Sequence, residues 1–297
     1  MTDEDRLDQA YAHCDALTRA HDRDRWLAAL FAPAEARRHL HALYAFSYEV
    51  GRLRDFVREP MAGEIRLQWW REAIEGERRT EAQASPVAAA LIDTIARFRL
   101  PIQAFDSMLA ARVFDLYDDP MPDVAAFEAY CGETSSLLFR LASLILAGRD
   151  NGGADAAGHA GVACATAGLL RALPIASMRG QVYLPMDILS ENGVSREDIV
   201  GRREGPKLRA ALRAMRDFAR RHLEKASSAT KPEGAAAAYL PLALVALYLK
   251  RMERADYRPF DTVVEVPQWR RQWAMWRAAR RVETGAVKAA KGAHEDE

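Results

Sequence analysis

Cysteine, net charge, strand-like patterning and long apolar runs are all scarce in this chain, and each scarcity excludes something. The three cysteines, Cys14, Cys131 and Cys164, stand far apart with no CxxC pair. That argues against a disulfide framework and for a reducing compartment, and they read as small buried hydrophobes. The 42 basic and 42 acidic residues cancel, so no global field draws the chain to nucleic acid. The longest apolar run, Ala235 to Leu249, contains Pro241 and falls short of the roughly 20 residues a bilayer span needs. It reads as a core helix. The acidic start, MTDEDRLDQ, resembles neither a signal peptide nor an Arg-rich transit peptide. The expected location is cytoplasmic, either free or peripheral to the inner membrane. No P-loop, GxGxxG or GxSxG occurs. His39 and His41 are two apart and diverge on a helix, and His13 and His21 lack ligand companions, so no metal or cofactor is expected from the residues alone.

What is present is helical. Apolar residues recur at three and four, not at two. Leu40, Leu43, Tyr44, Phe46, Val50, Leu53 and Val57 form one stripe within Pro33 to Val57. Further helices are predicted at Asp3–His21, Glu64–Gly76, Pro86–Phe98, Pro101–Tyr117, Val124–Leu146, Ala154–Met178, Pro206–Ala229, Pro241–Ala255 and Pro267–Arg281, with Gly- and Pro-bearing breakers between them. The chain reads as one all-α domain over 1–284, with a polar tail over 285–297 expected to be disordered.

Two segments carry more information. The first runs Tyr44-Ala45-Phe46-Ser47-Tyr48-Glu49-Val50-Gly51-Arg52-Leu53-Arg54-Asp55, and the second runs from Gly168 through Leu170-Arg171-Ala172, Ile175-Ala176 and Gly180-Gln181-Val182-Tyr183-Leu184-Pro185. Together they resemble the squalene/phytoene synthase family, whose segments read YAFCR-x-x-DD-x-x-D and N-x-LRD-x-x-ED-x-x-x-GR-x-YLP. Asp115-Leu116, Tyr130-Cys131 and the stretch Pro241 to Tyr257 extend the likeness. The resemblance implies an isoprenoid-synthase-like helical bundle with a central pocket. It also implies an activity, head-to-head joining of prenyl diphosphates, in which Mg²⁺ neutralises the departing diphosphate.

The frame fits, but the acids do not. Gly51 and Arg52 replace the two leading aspartates. Gly168, Ala172, Ile175 and Ala176 replace Asn, Asp, Glu and Asp. Asp55, Arg171 and Tyr183 remain. The block Glu64-Ile65-Arg66-Leu67-Gln68-Trp69-Trp70-Arg71-Glu72 further resembles the aspartate-poor branch that includes the mitochondrial assembly factor for respiratory complex I and its bacterial relatives. That implies a non-catalytic protein with a respiratory-complex subunit, a membrane surface, or an isoprenoid or lipid ligand as partner. The alternative is an active prenyl transferase with a rearranged Mg²⁺ site, using Glu133 for example. Tyr44, Glu49, Arg52, Glu64, Gln68, Arg71 and Glu133 are the pocket candidates. Glu64, Gln68, Arg71 and their neighbours form either a buried network over the old diphosphate site or surface i,i+4 pairs. Trp269, Trp273 and Trp276 share a helix face at i, i+4, i+7, beside Arg270 and Arg277. That face docks either on the protein's own core or on a membrane or partner.

Overall fold

The computed structural model describes residues 2–149 and 152–292, with side-chain surroundings through Arg281. The chain folds as helices throughout these residues. The first is α1 (Asp3–His21), opened by a capping box in which the Thr2 hydroxyl accepts from the Asp5 amide and the Asp5 carboxylate from the Thr2 amide. The short α2 (Arg23–Ala29) follows, N-capped by Asp22. Next come α3 (Ala34–Gly51), α4 (Leu53–Phe56), α5 (Pro60–Glu75), α6 (Arg79–Ala84), α7 (Pro86–Phe98) and α8 (Ile102–Arg112). A 3₁₀ turn, Val113–Leu116, leads on to α9 (Val124–Cys131). A π turn, Gly132–Ser136, joins α9 to α10 (Leu137–Ala147). The remainder is α11 (Ala154–Met178), α12 (Met186–Glu191), α13 (Arg196–Val200), α14 (Pro206–Ser228), α15 (Ala236–Tyr239), α16 (Leu242–Arg251) and α17 (Gln268–Gly292).

Helices α1, α3 and α7 pack mutually as one layer, and α11 pairs with α14 as another. Helix α10 touches both α3 and α11 and joins the two layers. Leu67, Trp70 and Ile74 turn the inner face of α5 into core, where Trp70 meets Phe46 edge-on at 5.0 Å. Helix α11 is long and apolar enough to cross a membrane by composition, but 56% of its most apolar stretch is buried within the bundle, the signature of a core helix.

Three departures from the sequence pattern matter for the site. The helix expected over Pro33 to Val57 breaks at Arg52, whose amide bonds back three residues to Glu49, so Asp55 lies in a separate short helix that starts at Leu53. The helix expected over Val124 to Leu146 is interrupted by the π turn. Gly161 of α11 lets that turn approach: a Cβ there would lie 2.3 Å from the Ser136 amide nitrogen. Finally, α17 continues through the first part of the predicted tail to Gly292, while 293–297 lie outside the described residues.

Candidate functional site

A cavity of about 280 Å³ lies between the two motif-bearing helices. Ser47 of α3 faces it from one side. Ala165, Gly168 and Arg171 of α11 face it from the other, and Thr134 and Ser135 of the π turn, Asp24 and Arg25 of α2, and Leu244 and Tyr248 of α16 complete it. A side chain added at Gly168 would meet nothing within 4 Å, so the position where the family places Asn opens on empty space.

On the facing wall the space is filled, and by a cation. A Cβ at Gly51 would sit 3.5 Å from the Arg112 guanidinium. Where the first metal-binding acid of the family stands, this protein has no side chain and an arginine beside the vacancy. Arg112 is held by a buried polar cluster. Its Nη1 donates to Asp115 Oδ2 at 2.8 Å and to the Tyr130 hydroxyl at 3.0 Å. The Tyr130 and Tyr183 hydroxyls donate to Asp115 Oδ1 at 2.7 and 2.9 Å. Gln181, in place of the family's Arg, donates from Nε2 to the Asp115 carbonyl at 2.8 Å. Burial, and then the Asp115 charge, push both tyrosine hydroxyls well up, so they stay protonated donors.

The other cavity charges are engaged by the protein's own groups, Arg171 by a ring and a carbonyl and not by a carboxylate among the described residues. Arg25 Nη1 pairs with Asp22 at 2.7 Å. Asp24 accepts from Arg271 Nη1 at 2.6 Å and from the Tyr248 hydroxyl at 2.5 Å. Arg171, the retained arginine of the second motif, stacks 3.8 Å above the Tyr248 ring and donates to the Val264 carbonyl at 2.9 Å. Burial pushes the Cys164 thiol up to about 12, which leaves it a neutral hydrophobe rather than a nucleophile.

The remaining candidates scatter. Asp55, the one retained acid of the first motif, pairs with Arg52 at 3.0 Å and with Arg179 at 2.6 Å, which ties the two motifs together as an ion pair. The Arg52 guanidinium lies over the Tyr48 and Phe56 rings. Tyr44 is buried behind the cavity, 5.8 Å from Arg25. Glu49 is partly buried, and that burial raises its pKa against the opposing pull of Arg66.

Of the two arrangements open for Glu64, Gln68 and Arg71, a buried network over the central pocket or surface pairs, the structure has the second: they line a separate outer groove of about 380 Å³. There Gln68 donates to Glu72 at 3.0 Å, Arg71 pairs with Asp106, and Tyr117 donates to Glu64. Gln68–Glu72 is a surface pair of helical spacing, whereas Arg71–Asp106 and Tyr117–Glu64 tie α5 to α8 and to the segment after the 3₁₀ turn. Glu133 is exposed and faces another outer groove, because the π turn directs Thr134 and Ser135 inward in its place. The helix carrying Trp269, Trp273 and Trp276 does dock on the core, but through its opposite face, leaving all three tryptophans exposed. His39 joins Tyr11 and Thr94, and His41 pairs with Asp15.

The sequence pattern did not single out Asp24, Arg25 or Arg112. Asp22 followed by an apolar Trp-Leu-Ala run was the available signal for α2. Nothing local marks Arg112.

The fold family implies Mg²⁺, and the donor set here does not fit it. Among the described residues no group of three His, Cys, Asp or Glu side chains could hold a metal ion. At the first motif a divalent ion would meet the Arg112 guanidinium instead of a carboxylate.

Comparison with known proteins finds both assembly factors and synthases among the relatives. The rat protein named "NADH dehydrogenase (ubiquinone) complex I, assembly factor 6" is 32% identical over 256 residues, covering 86% of this chain and 77% of that protein. Its human counterpart is 32% identical over 250 residues, covering 84% and 75%. The 15-cis-phytoene synthase of a Synechocystis strain is 25% identical over 277 residues, covering 88% and 82%. Among solved structures, the squalene synthase HpnC of Alicyclobacillus acidocaldarius superposes with a TM-score of 0.71 at 25% identity, covering 86% of this chain and 97% of that one. A ligand-bound dehydrosqualene synthase reaches 0.80 at 18%, covering 95% and 100%, which speaks for the isoprenoid-synthase fold. The squalene/phytoene synthase family pattern matches residues 18–277, and the chain belongs to that family.

Proposed function

We propose that this protein performs no prenyl transfer and acts in the assembly of NADH dehydrogenase, respiratory complex I. The observation that carries the reading is the site's inversion of charge. Positions 51, 172, 175 and 176 hold Gly, Ala, Ile and Ala, and the Arg112 guanidinium borders the first of them. Ionising an allylic diphosphate needs clustered positive charge that the substrate shares with carboxylate-held ions, and the carboxylate of this wall, Asp115, is already engaged by Arg112, Tyr130 and Tyr183. Support also comes from the relatives named as complex I assembly factors, which are more similar to this chain than the phytoene synthase is. On this reading the partner is a respiratory-complex subunit, the protein works at the inner membrane face, and no metal is needed.

The test is deletion of the gene in its own host. NADH dehydrogenase activity and assembled complex should fall while squalene and phytoene content stays unchanged, and the native gene should restore both losses. Purified protein given farnesyl or geranylgeranyl diphosphate with Mg²⁺ should release no diphosphate. Steady turnover, or a strain with normal NADH dehydrogenase, overturns the reading.

A second reading is favoured by the cavity itself: it retains an isoprenoid or lipid without chemistry. Leu244, Val245 and Leu169 give it an apolar side, and Arg171 gives it a cation with no carboxylate partner among the described residues. Native mass spectrometry of gently purified protein should then show a bound lipid mass, and a uniformly empty chain rejects it.

A further inference from the structure

Helix α17 is fixed in rotation by its inner side. Met275 is fully buried, and Ala274, Ala278 and Ala279 pack against the core. Arg271 reaches inward to Asp24 at 2.6 Å. This docking uses the stripe that a sequence reading assigns no role, and it turns the aromatic stripe outward. Trp269, Trp273 and Trp276 remain 63%, 54% and 44% exposed. Trp273 and Trp276 stack on each other at 5.0 Å with 22° between planes. The Arg270 guanidinium lies over Trp269 at 5.1 Å and that of Arg280 over Trp276 at 5.4 Å.

Three large rings aligned on one exposed face of a rigid helix form an apolar patch of the kind soluble surfaces rarely keep without a partner. The chemistry around them selects the partner. From Gln268 through Arg281 there are five arginines and no acid; Arg271 is turned inward to its ion pair with Asp24, while Arg270 and Arg277 are exposed. Indole rings favour the boundary between acyl chains and headgroups, where the ring is dehydrated and its N–H stays wet. Arginine stems lie along the apolar face while their heads reach phosphate.

We propose that the outer face of α17 seats on a bilayer surface bearing anionic phospholipid, with Trp269, Trp273 and Trp276 in the headgroup boundary and Arg270 and Arg277 on lipid phosphates. The helix lies in the plane of the membrane and does not span it. The inference does not rest on the assembly reading, since any function of the chain would inherit the surface.

The full chain should co-sediment with phosphatidylcholine vesicles containing about one-third phosphatidylglycerol, and far less with phosphatidylcholine alone. Binding should weaken steeply as salt rises. Replacing both arginines, Arg270→Ser with Arg277→Ser, should weaken binding about thirtyfold, since each basic residue near an anionic surface contributes roughly a fivefold increment. Trp273→Glu should abolish sedimentation with its thermal melt unchanged, because the ring lies outside the core. Trp269→Ser with Trp276→Ser provides a second variant should the charge disturb the helix. Native protein left in the supernatant with both vesicle types overturns the proposal. So does a Trp273→Glu variant that folds and sediments like the native. Lipid-free self-association that vanishes with Trp273→Glu would assign the face to a second copy and also defeat it.

Discussion

Replacing Asp115 by alanine should be among the most destabilising single changes in the protein. Its carboxylate accepts from Arg112, Tyr130 and Tyr183 at 2.7–2.9 Å. The Arg112 and Asp115 side chains are only 16% and 8% accessible, so neither is screened as a surface pair would be. Removing one partner of such a pair leaves an uncompensated buried charge, at a cost of about 3–5 kcal/mol. The Arg112 Nε is already buried without a hydrogen-bond partner, so this guanidinium has no spare solvation to fall back on. Two tyrosine hydroxyls lose their acceptor at the same time. Part of that loss overlaps with the ion-pair term, and we keep the expectation at 3–5 kcal/mol rather than adding the two. Urea unfolding followed by circular dichroism gives the shift in midpoint. The double variant Arg112→Met with Asp115→Ala should recover about 2 kcal/mol or more relative to the sum of the singles, the coupling expected of neighbours in one network. A cost below about 1 kcal/mol for Asp115→Ala, or additive singles, would refute the claim that a fixed ion pair holds this wall of the cavity.

Gly161→Ala should destabilise by roughly 1–3 kcal/mol, because the new Cβ would lie 2.2–2.4 Å from Ser136 Oγ, N and Cα and must push the π turn off α11; a thermal melt unchanged from native refutes this. Burial, with Arg38 and Arg97 adding to it, holds the His39 imidazole down to about 4, whereas an unfolded histidine titrates near 6.5. Between those values the unfolded chain binds more protons, so the His39 contribution is complete above about pH 6.5 and is lost toward pH 4, by up to about 3 kcal/mol. His39→Gln should flatten that part of the pH profile of the urea midpoint, and an unaltered slope contradicts the assignment.

The long helices were legible wherever a local rule fixed their ends. The Thr2–Asp5 capping box opens α1, Pro86 and Pro206 sit at first-turn positions of α7 and α14, and the 3.6-residue repeat fills the space between. The squalene/phytoene synthase frame was legible as well. The charge arrangement inside it was only half legible. Sequence shows that Gly51 lacks a carboxylate but not that Arg112, on another helix, borders the vacancy, because that is a fact of tertiary packing. The π turn was hidden for a related reason. In this turn Thr134 Oγ1 bonds back to the Tyr130 carbonyl at 2.6 Å, while Ser136 Oγ donates to the Gly158 carbonyl of α11, and such residues are compatible with an uninterrupted helix until a neighbour packs closely. The tryptophan stripe of α17 was identified correctly as a face. Which way it points was decided by Met275 and Arg271, the inward stripe that hydrophobicity alone ranks below three tryptophans.

The substitution of a fixed cation for a dissociable one has a consequence for the whole shell. In a metal-dependent pocket, acids from two helices repel one another until ions arrive, so the walls depend on ligand for their cohesion. Here Asp55 of α4 pairs with Arg179 at the end of α11, and Asp115 holds Arg112 together with tyrosines from α9 and from the loop after α11. These contacts are made by the protein's own residues, and the Asp55–Arg179 pair joins the two motif segments directly. Under the roles proposed above, in which the protein presents surfaces such as the outer face of α17 and does not close on a substrate, those pre-formed pairs are what hold the two motif segments together.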